Sequence, residues 1–251
     1  MIKLFVTDLD GCISFPFRSP DWDNMAQIRK LNEESKTNKI IPPLSICTGR
    51  PYPYAEAVAQ WLHIDIPFVF ESAGLYLWSG NRIKTALKDE KKELEPINEL
   101  RSWISNDVLP AFPSAAIEYT KKMDAGVVAP EKSVIDEIHQ IIKERVENVY
   151  PALEIHITDV SVNVLLGGNN KLQGMKLLAD EINISLDEIA YIGDTGGDIP
   201  ALKEVKMAFC PSNATRAVKN ISKEMEGNTS DAVLAAYREI IEYNRTLSGT
   251  V

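Results

Sequence analysis

Cysteine is scarce in this chain of 251 residues: Cys12, Cys47 and Cys210 are the only three, scattered and set in apolar, strand-like contexts. That excludes a disulfide scaffold, and the lack of any CxxC pair or Cys/His cluster leaves no zinc site. Histidine is equally rare, and His63, His139 and His156 lie far apart, each reading as an ordinary core or surface residue. A surplus of positive charge is missing too, with 27 basic against 36 acidic residues and a net charge of -9. General nucleic-acid binding needs a basic face, so no nucleic-acid partner is expected. An anionic small molecule stays compatible, because backbone N–H groups, one lysine and a metal outweigh a diffuse negative field locally. No apolar run approaches the roughly 18 residues needed to span a bilayer, and no basic-then-apolar leader opens the sequence. The expectation is a cytoplasmic protein without a membrane partner; its oligomeric state is not legible.

What is present is an ordinary globular balance, 45% hydrophobic and 25% charged residues, enough for a normal core without staples. Short apolar runs alternate with helical spacing in the first third: IKLFVTD, a helix from Asp23 to Glu34, PPLSICTGR, a helix from Tyr54 to Leu62, then PFVFES and a hairpin through Ser79-Gly80-Asn81. Strand–helix alternation of this kind predicts an open parallel α/β sheet. After Leu87 a charge run, KDEKKELEP, opens a different style. A helix from Glu95 to Val108 precedes the strands AAIEYT and AGVVAP. A helix from Glu131 to Val149, with Val134, Ile138, Ile141 and Ile142 on one face, precedes LEIHITD and VSVNVLLG. The order α-β-β-α-β-β describes a small antiparallel sheet covered by helices. From Lys171 the first style returns. The expected division is a core of 1–86 and 170–251 with an inserted module at 87–169.

Two carboxylates, Asp8 and Asp10, end the first buried strand and are followed by Gly11. Ligands of open α/β sheets bind beyond the carboxyl ends of the strands. The other strand ends there offer Thr48 and Gly49, then Asp194 and Asp198. Carboxylates crowded in a low-dielectric site raise one another's pKa, and a hard divalent cation with oxygen ligands relieves them; Mg²⁺ characteristically takes one or two carboxylates and completes its shell with water and phosphate oxygens. Taken singly, Asp8 and Asp10 also suit an Asx-type strand terminator, and Thr48 suits a helix N-cap.

VTDLDGC, ICTGR, NNKLQG and YIGDTGGDIPAL, in this order, resemble the four motifs of the haloacid dehalogenase superfamily, and the resemblance covers the whole chain. The insert between the second and third motifs resembles the cap of the type IIB subgroup, which includes Cof-type sugar phosphatases, sucrose-phosphatase and mannosyl-3-phosphoglycerate phosphatase. The resemblance implies a Rossmann-like α/β core with a parallel sheet and an α+β cap that closes over it. It makes Asp8 the nucleophile that forms an aspartyl-phosphate and Asp10 the general acid and then base. It gives Mg²⁺ to Asp8, the Asp10 carbonyl and Asp194, and the phosphate to Thr48, Gly49 and Lys171. Asp198 and Asn213 would support this set. The sequence departs from the family in having KLQG where Lys directly precedes Gly, so that Lys176 competes for the role of Lys171. It also has Ser72 where Asn is usual, and Cys12 after the first motif. Arg50 reads as a surface or ion-pair residue. Phe15, Phe17 and Trp22 suit an entrance or simple packing. Lys121, Lys122 and Asn163 are candidate specificity residues.

The expected function is a Mg²⁺-dependent phosphatase for a small phosphorylated metabolite, foremost a sugar phosphate. The alternatives are a mutase of the phosphomannomutase type, which the same cap also serves, and a non-catalytic regulatory binding protein on this fold.

Overall fold

The computed structural model describes residues 1–249, and the chain divides into two compact units, one of residues 1–85 with 170 onward, the other of residues 86–169. The first unit opens with strands β1 (Leu4–Thr7), β2 (Leu44–Ile46), β3 (Phe68–Phe70), β4 (Gly74–Leu77) and β5 (Arg82–Lys84). The second contains β6 (Ala116–Ile117), β7 (Val127–Val128), β8 (Leu153–Ile157) and β9 (Ser161–Leu166). β10 (Ile189–Ile192), β11 (Met207–Cys210) and β12 (Lys223–Glu224) complete the first.

The main sheet runs β12-β11-β10-β1-β2, parallel throughout. β1 and β10 are buried at every residue, which is why they read as unbroken apolar runs rather than alternating ones. Thr7 stands opposite Ile46 on one side and Ile192 on the other. The chain therefore leaves the sheet at one level at Asp8, Cys47 and Gly193, and residues just beyond gather on one edge. The two ends of the chain are tied together here: buried Asn244, on the helix Thr229–Leu247, accepts from Ile2 N at 2.7 Å and donates to Ile2 O at 2.8 Å.

The third run keeps its expected parallel place beside β2, through the bridge Cys47–Val69 and Thr48 N donating to Val69 O at 3.2 Å, and β4 with β5 forms the expected hairpin. β3 also pairs antiparallel with β4, which the sequence did not announce, in a separate three-stranded sheet with β5. The cause is a corner right after Phe70, where Glu71 and Ser72 both take positive φ, 43° and 65°. Two consecutive left-handed residues reverse the chain before it can enter a helix.

In the second unit the sheet β6-β7-β9-β8 is antiparallel, as the α+β reading requires. The helix Glu95–Trp103 continues into a wide π turn at Ile104–Val108. The helix Lys132–Val149 buries Ile135, Ile138, Ile142 and Val146, whereas Ile141 of the expected face is exposed. Successive residues are about 100° apart round a helix, so Ile141 falls well off the stripe that 135, 138, 142 and 146 share. Lys121 is buried in this unit, its Nζ held by Asp124 Oδ2 at 2.8 Å, Glu118 Oε2 at 2.9 Å and Asn163 Oδ1 at 2.6 Å. An ammonium has three donors, so those of Lys121 are all spent inside the unit, against its expected use on a substrate. Among the described residues no helix is long and apolar enough to cross a membrane.

Candidate active site

Asp8 is the first residue past β1 and only 4% exposed. Its N–H continues the sheet by donating to Ile192 O at 3.0 Å, and its Oδ1 accepts from Leu9 N at 2.7 Å. Gly11 then turns the chain with φ 72°, and a Cβ there would lie 1.9 Å from Asp194 Oδ2. Only glycine permits both the turn and that approach. Asn213 braces the turn, donating from Nδ2 to Gly11 O at 2.9 Å while its Oδ1 accepts from Thr229 N at 3.0 Å.

Lys171 opens the helix Lys171–Glu181, whose N-cap Asn170 accepts from Gln173 N at 3.2 Å. A Cβ on Gly174 would lie 2.4 Å from Ser72 O. The glycine thus lets the helix start press against the corner after β3, and the three-residue offset between Lys171 and Gly174 follows from where the helix begins. Lys171 is buried, and its Nζ lies 2.7 Å from Asp8 Oδ2 and 2.5 Å from Asp198 Oδ1. Lys176 is exposed.

Asp198 has no exposed surface, and both of its oxygens are occupied. Oδ1 takes Lys171 Nζ and the Tyr191 hydroxyl, each at 2.5 Å. Oδ2 takes Asp194 N at 3.1 Å, Thr195 N at 2.9 Å and Thr195 Oγ1 at 3.3 Å. Burial alone would raise its pKa, but Lys171 and these donors outweigh burial and hold it below the usual carboxylate range. Lys171 has the converse balance: burial lowers it, and Asp198 and Asp8 more than compensate, keeping it a firm cation.

Asp8 and Asp194 are the incompletely compensated groups. Burial, with Asp198 and Asp10 adding to it and Lys171 opposing, pushes Asp8 up to about 7. Burial, then the negative charges of Asp198 and Asp8, pushes Asp194 up to about 8. Asp194 Oδ1 is buried without a hydrogen-bond partner. One carboxylate oxygen from each of Asp8, Asp194 and Asp198 lies within 4.8 Å of the others. Because the oxygens of Asp198 are saturated, Asp8 and Asp194 are the pair left to meet a cation. An orphaned buried acceptor and two carboxylates costly to ionise fit a hard divalent ion with oxygen ligands.

On the β2 side Thr48 is buried, its Oγ1 accepting from Arg50 N at 3.2 Å. It is not a helix cap: the helix Tyr52–Trp61 starts at Pro51 without a side-chain cap bond. Gly49 lies between Thr48 and Arg50, and the nearest atom to a Cβ there is Ser72 Oγ at 3.7 Å, so steric need does not explain this glycine. Arg50, read from the sequence as a surface or ion-pair residue, is an ion-pair residue, and its partner is the site's own Asp10. It grips Asp10 with two bonds, Nε to Oδ2 at 2.6 Å and Nη2 to Oδ1 at 2.9 Å. Its guanidinium lies 5.8 Å from the Phe17 ring centroid and 5.0 Å from that of Tyr54. The signal available was its place directly after Thr48-Gly49 at a strand end. Phe17 is exposed, and Trp22 meets Trp61 edge-on at 5.4 Å. The histidines lie elsewhere: His63 contacts Glu33 and His156 contacts Glu154.

Comparison with known proteins bears on the family and the fold. The sequence model of haloacid dehalogenase-like hydrolases matches residues 85–237. The phosphoglycolate phosphatase of Methanopyrus kandleri is 25% identical over 244 residues, 96% of this chain and 98% of that protein. Phosphoglycolate phosphatase 1 of Saccharolobus solfataricus is 26% identical over 237 residues, 92% and 91% of the two chains. The crystal structure of a Thermoplasma acidophilum protein shares the fold with a TM-score of 0.76 at 20% identity, covering 96% of this chain and 98% of that one. A haloacid dehalogenase-like hydrolase from Bacteroides thetaiotaomicron shares it with a TM-score of 0.69 at 15% identity, covering 96% and 100%.

Proposed function

This chain belongs to the haloacid dehalogenase-like hydrolase family and is a phosphatase, and on that premise we propose that it hydrolyses a small phosphorylated metabolite, foremost a sugar phosphate, with Mg²⁺ as cofactor. The observation that carries the reading is the buried pair Asp8 and Asp194, each raised toward neutrality, with an orphaned Asp194 oxygen and a single lysine against them.

In this reading Asp8, Asp194 and the backbone carbonyl of Asp10 hold the cation. When bound it supplies positive charge that lets a phosphate dianion approach a carboxylate. Asp8 attacks phosphorus as Asp10, which must first exchange an Arg50 contact for a proton, gives that proton to the leaving alcohol oxygen, leaving an aspartyl-phosphate on Asp8. Asp10 then takes a proton from the water that attacks this phosphorus, which releases phosphate and restores Asp8. Lys171, with two of its three donors on Asp8 and Asp198, keeps one for a phosphate oxygen. The Thr48 hydroxyl and Gly49 N–H face the same task from β2. Phosphoryl transfer is mainly positioning and charge neutralisation, and this arrangement provides both.

The relatives named phosphoglycolate phosphatases favour a second substrate reading, a phosphorylated hydroxy acid in place of a sugar phosphate. A panel of sugar phosphates and phosphorylated hydroxy acids, scored by phosphate release and kcat/KM with Mg²⁺, separates the two. Isomer formation without phosphate release would favour a mutase. Activity should vanish with EDTA, return with Mg²⁺ and be inhibited by Ca²⁺, whose larger, looser shell misplaces Asp8. Full activity after exhaustive chelation would overturn the metal assignment.

A further inference from the structure

Tyr191 sits in the middle of β10, opposite Val6 of β1 and Ala208 of β11, with no exposed surface. Packing there asks only for an apolar side chain, since the cluster around it is Leu4, Val6, Met175, Leu178 and similar residues. A buried tyrosine hydroxyl must find an acceptor. Here it finds no backbone carbonyl but Asp198 Oδ1, at 2.5 Å, the oxygen that also holds Lys171.

The local geometry explains the reach. Residues 191 and 193 point to the same face of β10. Residue 193 is glycine, where a Cβ would stand 2.5 Å from Asp198 Cγ and 2.6 Å from its Cβ. The missing side chain lets Asp198 fold back over the strand end, and its Oδ1 meets the hydroxyl two residues earlier. Oδ2 is fixed by the N–H groups of Asp194 and Thr195 and by the Thr195 hydroxyl. Oδ1 is left with two donors, Tyr191 and Lys171. The tyrosine hydroxyl therefore fixes the oxygen against which the ammonium rests, 2.5 Å from Lys171 Nζ, while the other contact of that ammonium is Asp8 at 2.7 Å.

We propose that Tyr191 is a positioning residue of this site: through the shared oxygen of Asp198 it sets where the Lys171 ammonium stands between Asp198 and Asp8. The proposal rests on the phosphatase reading above. Without the hydroxyl, Asp198 Oδ1 loses a donor that fixes it, and the ammonium it holds is no longer set firmly against Asp8 and the incoming phosphate.

The test is a double-mutant cycle with p-nitrophenyl phosphate as the probe, at saturating Mg²⁺ and well below every melting transition. Tyr191→Phe keeps the ring and its packing. It should lower kcat about tenfold, the scale typical of a lost outer partner of an active-site group, with KM nearly unchanged. In a Lys171→Met background the same change should have no further effect on kcat/KM, because its route of action is gone. Unchanged kcat in Tyr191→Phe overturns the proposal, as does an equal loss in both backgrounds, which marks a general structural effect. A loss confined to melting temperature overturns it too. Full activity of Lys171→Met would refute the placement of the phosphate-side cation and with it the route through which Tyr191 acts, whereas an unaltered protein that releases no p-nitrophenol would sink the phosphatase reading itself.

Discussion

Replacing Lys171 by methionine keeps the buried stem and deletes the charge. The ammonium now stands 2.7 Å from Asp8 Oδ2 and 2.5 Å from Asp198 Oδ1, in a site holding one orphaned Asp194 oxygen. At an effective dielectric of about 20, a unit pair some 4 Å apart is worth about 4 kcal/mol. Part of this is recovered in the variant because Asp8, already raised to about 7, can take a proton. In the transition state that escape is closed, since Asp8 must attack as an anion beside a phosphate. We therefore expect a loss of about 3 kcal/mol of transition-state stabilisation, on the order of a hundredfold in kcat/KM. Lys171→Ala should fail as badly. Lys176→Ala should change little, because position 176 is exposed and lies about 140° round the helix from 171. Removing one partner of a buried ion pair also costs stability, roughly 3–5 kcal/mol, so the assay belongs below the melting transition of each variant. A crippled Lys176→Ala beside a near-normal Lys171→Met would refute the placement of the phosphate-side cation.

Asp8→Asn should reduce turnover by at least about a thousandfold, as loss of a nucleophile does, while the fold survives; near-normal phosphate release from pure protein would end the covalent mechanism. In metal-free protein, Asp8 and Asp194 titrate at about 7 and about 8 instead of the 3.8 of a free carboxyl. The folded state then binds more protons than the unfolded chain between about pH 4 and pH 8, so stability falls as pH rises through that window. The gain in melting temperature on adding Mg²⁺ should be larger at pH 8 than at pH 5, and a chelated protein that grows more stable from pH 5 to pH 8 would contradict this. Gly174→Ala places a Cβ 2.4 Å from Ser72 O and 2.5 Å from Val69 Cγ1. It should cost on the order of 1–3 kcal/mol and lower kcat by displacing the helix start; unaltered melting and turnover would show that the corner yields freely.

The α/β core, its parallel sheet and the α+β module were legible from local pattern alone. Strands buried on both faces read as unbroken apolar runs such as IKLFV, one-sided strands such as VSVNVLL alternate, and period and run length are properties of neighbouring residues. The strand-end carboxylates were legible for a related reason: several charges set at the ends of neighbouring buried runs exceed what local termination needs. Where local pattern was the wrong measure, the reading slipped. β3 keeps its parallel place beside β2, but its second partner was not legible: a two-residue left-handed corner at Glu71-Ser72 turns the chain back so that β4 pairs with it. On Lys132–Val149 the slip was in the period itself, since Ile141 lies off the stripe of Ile135, Ile138, Ile142 and Val146.

At the site the division is sharper. Asp8, Asp10, Lys171, Asp194 and Asp198 stand out as residues of a kind that strand ends and helix starts do not require. Which charges pair is another matter, because partners lie far apart along the chain. Arg50 meets Asp10 across 40 positions, and Lys171 meets Asp198 across 27. Tyr191 gave no signal, since an aromatic residue suits a buried strand whether or not its hydroxyl has work. The sequence by itself determined the elements, their order and the charges set down at one sheet edge, because these follow from short-range sterics and the burial of apolar surface. Only the tertiary structure decided which oxygens of Asp198 are saturated and which oxygen of Asp194 is left bare, because burial and hydrogen bonding act between atoms that folding alone brings within reach.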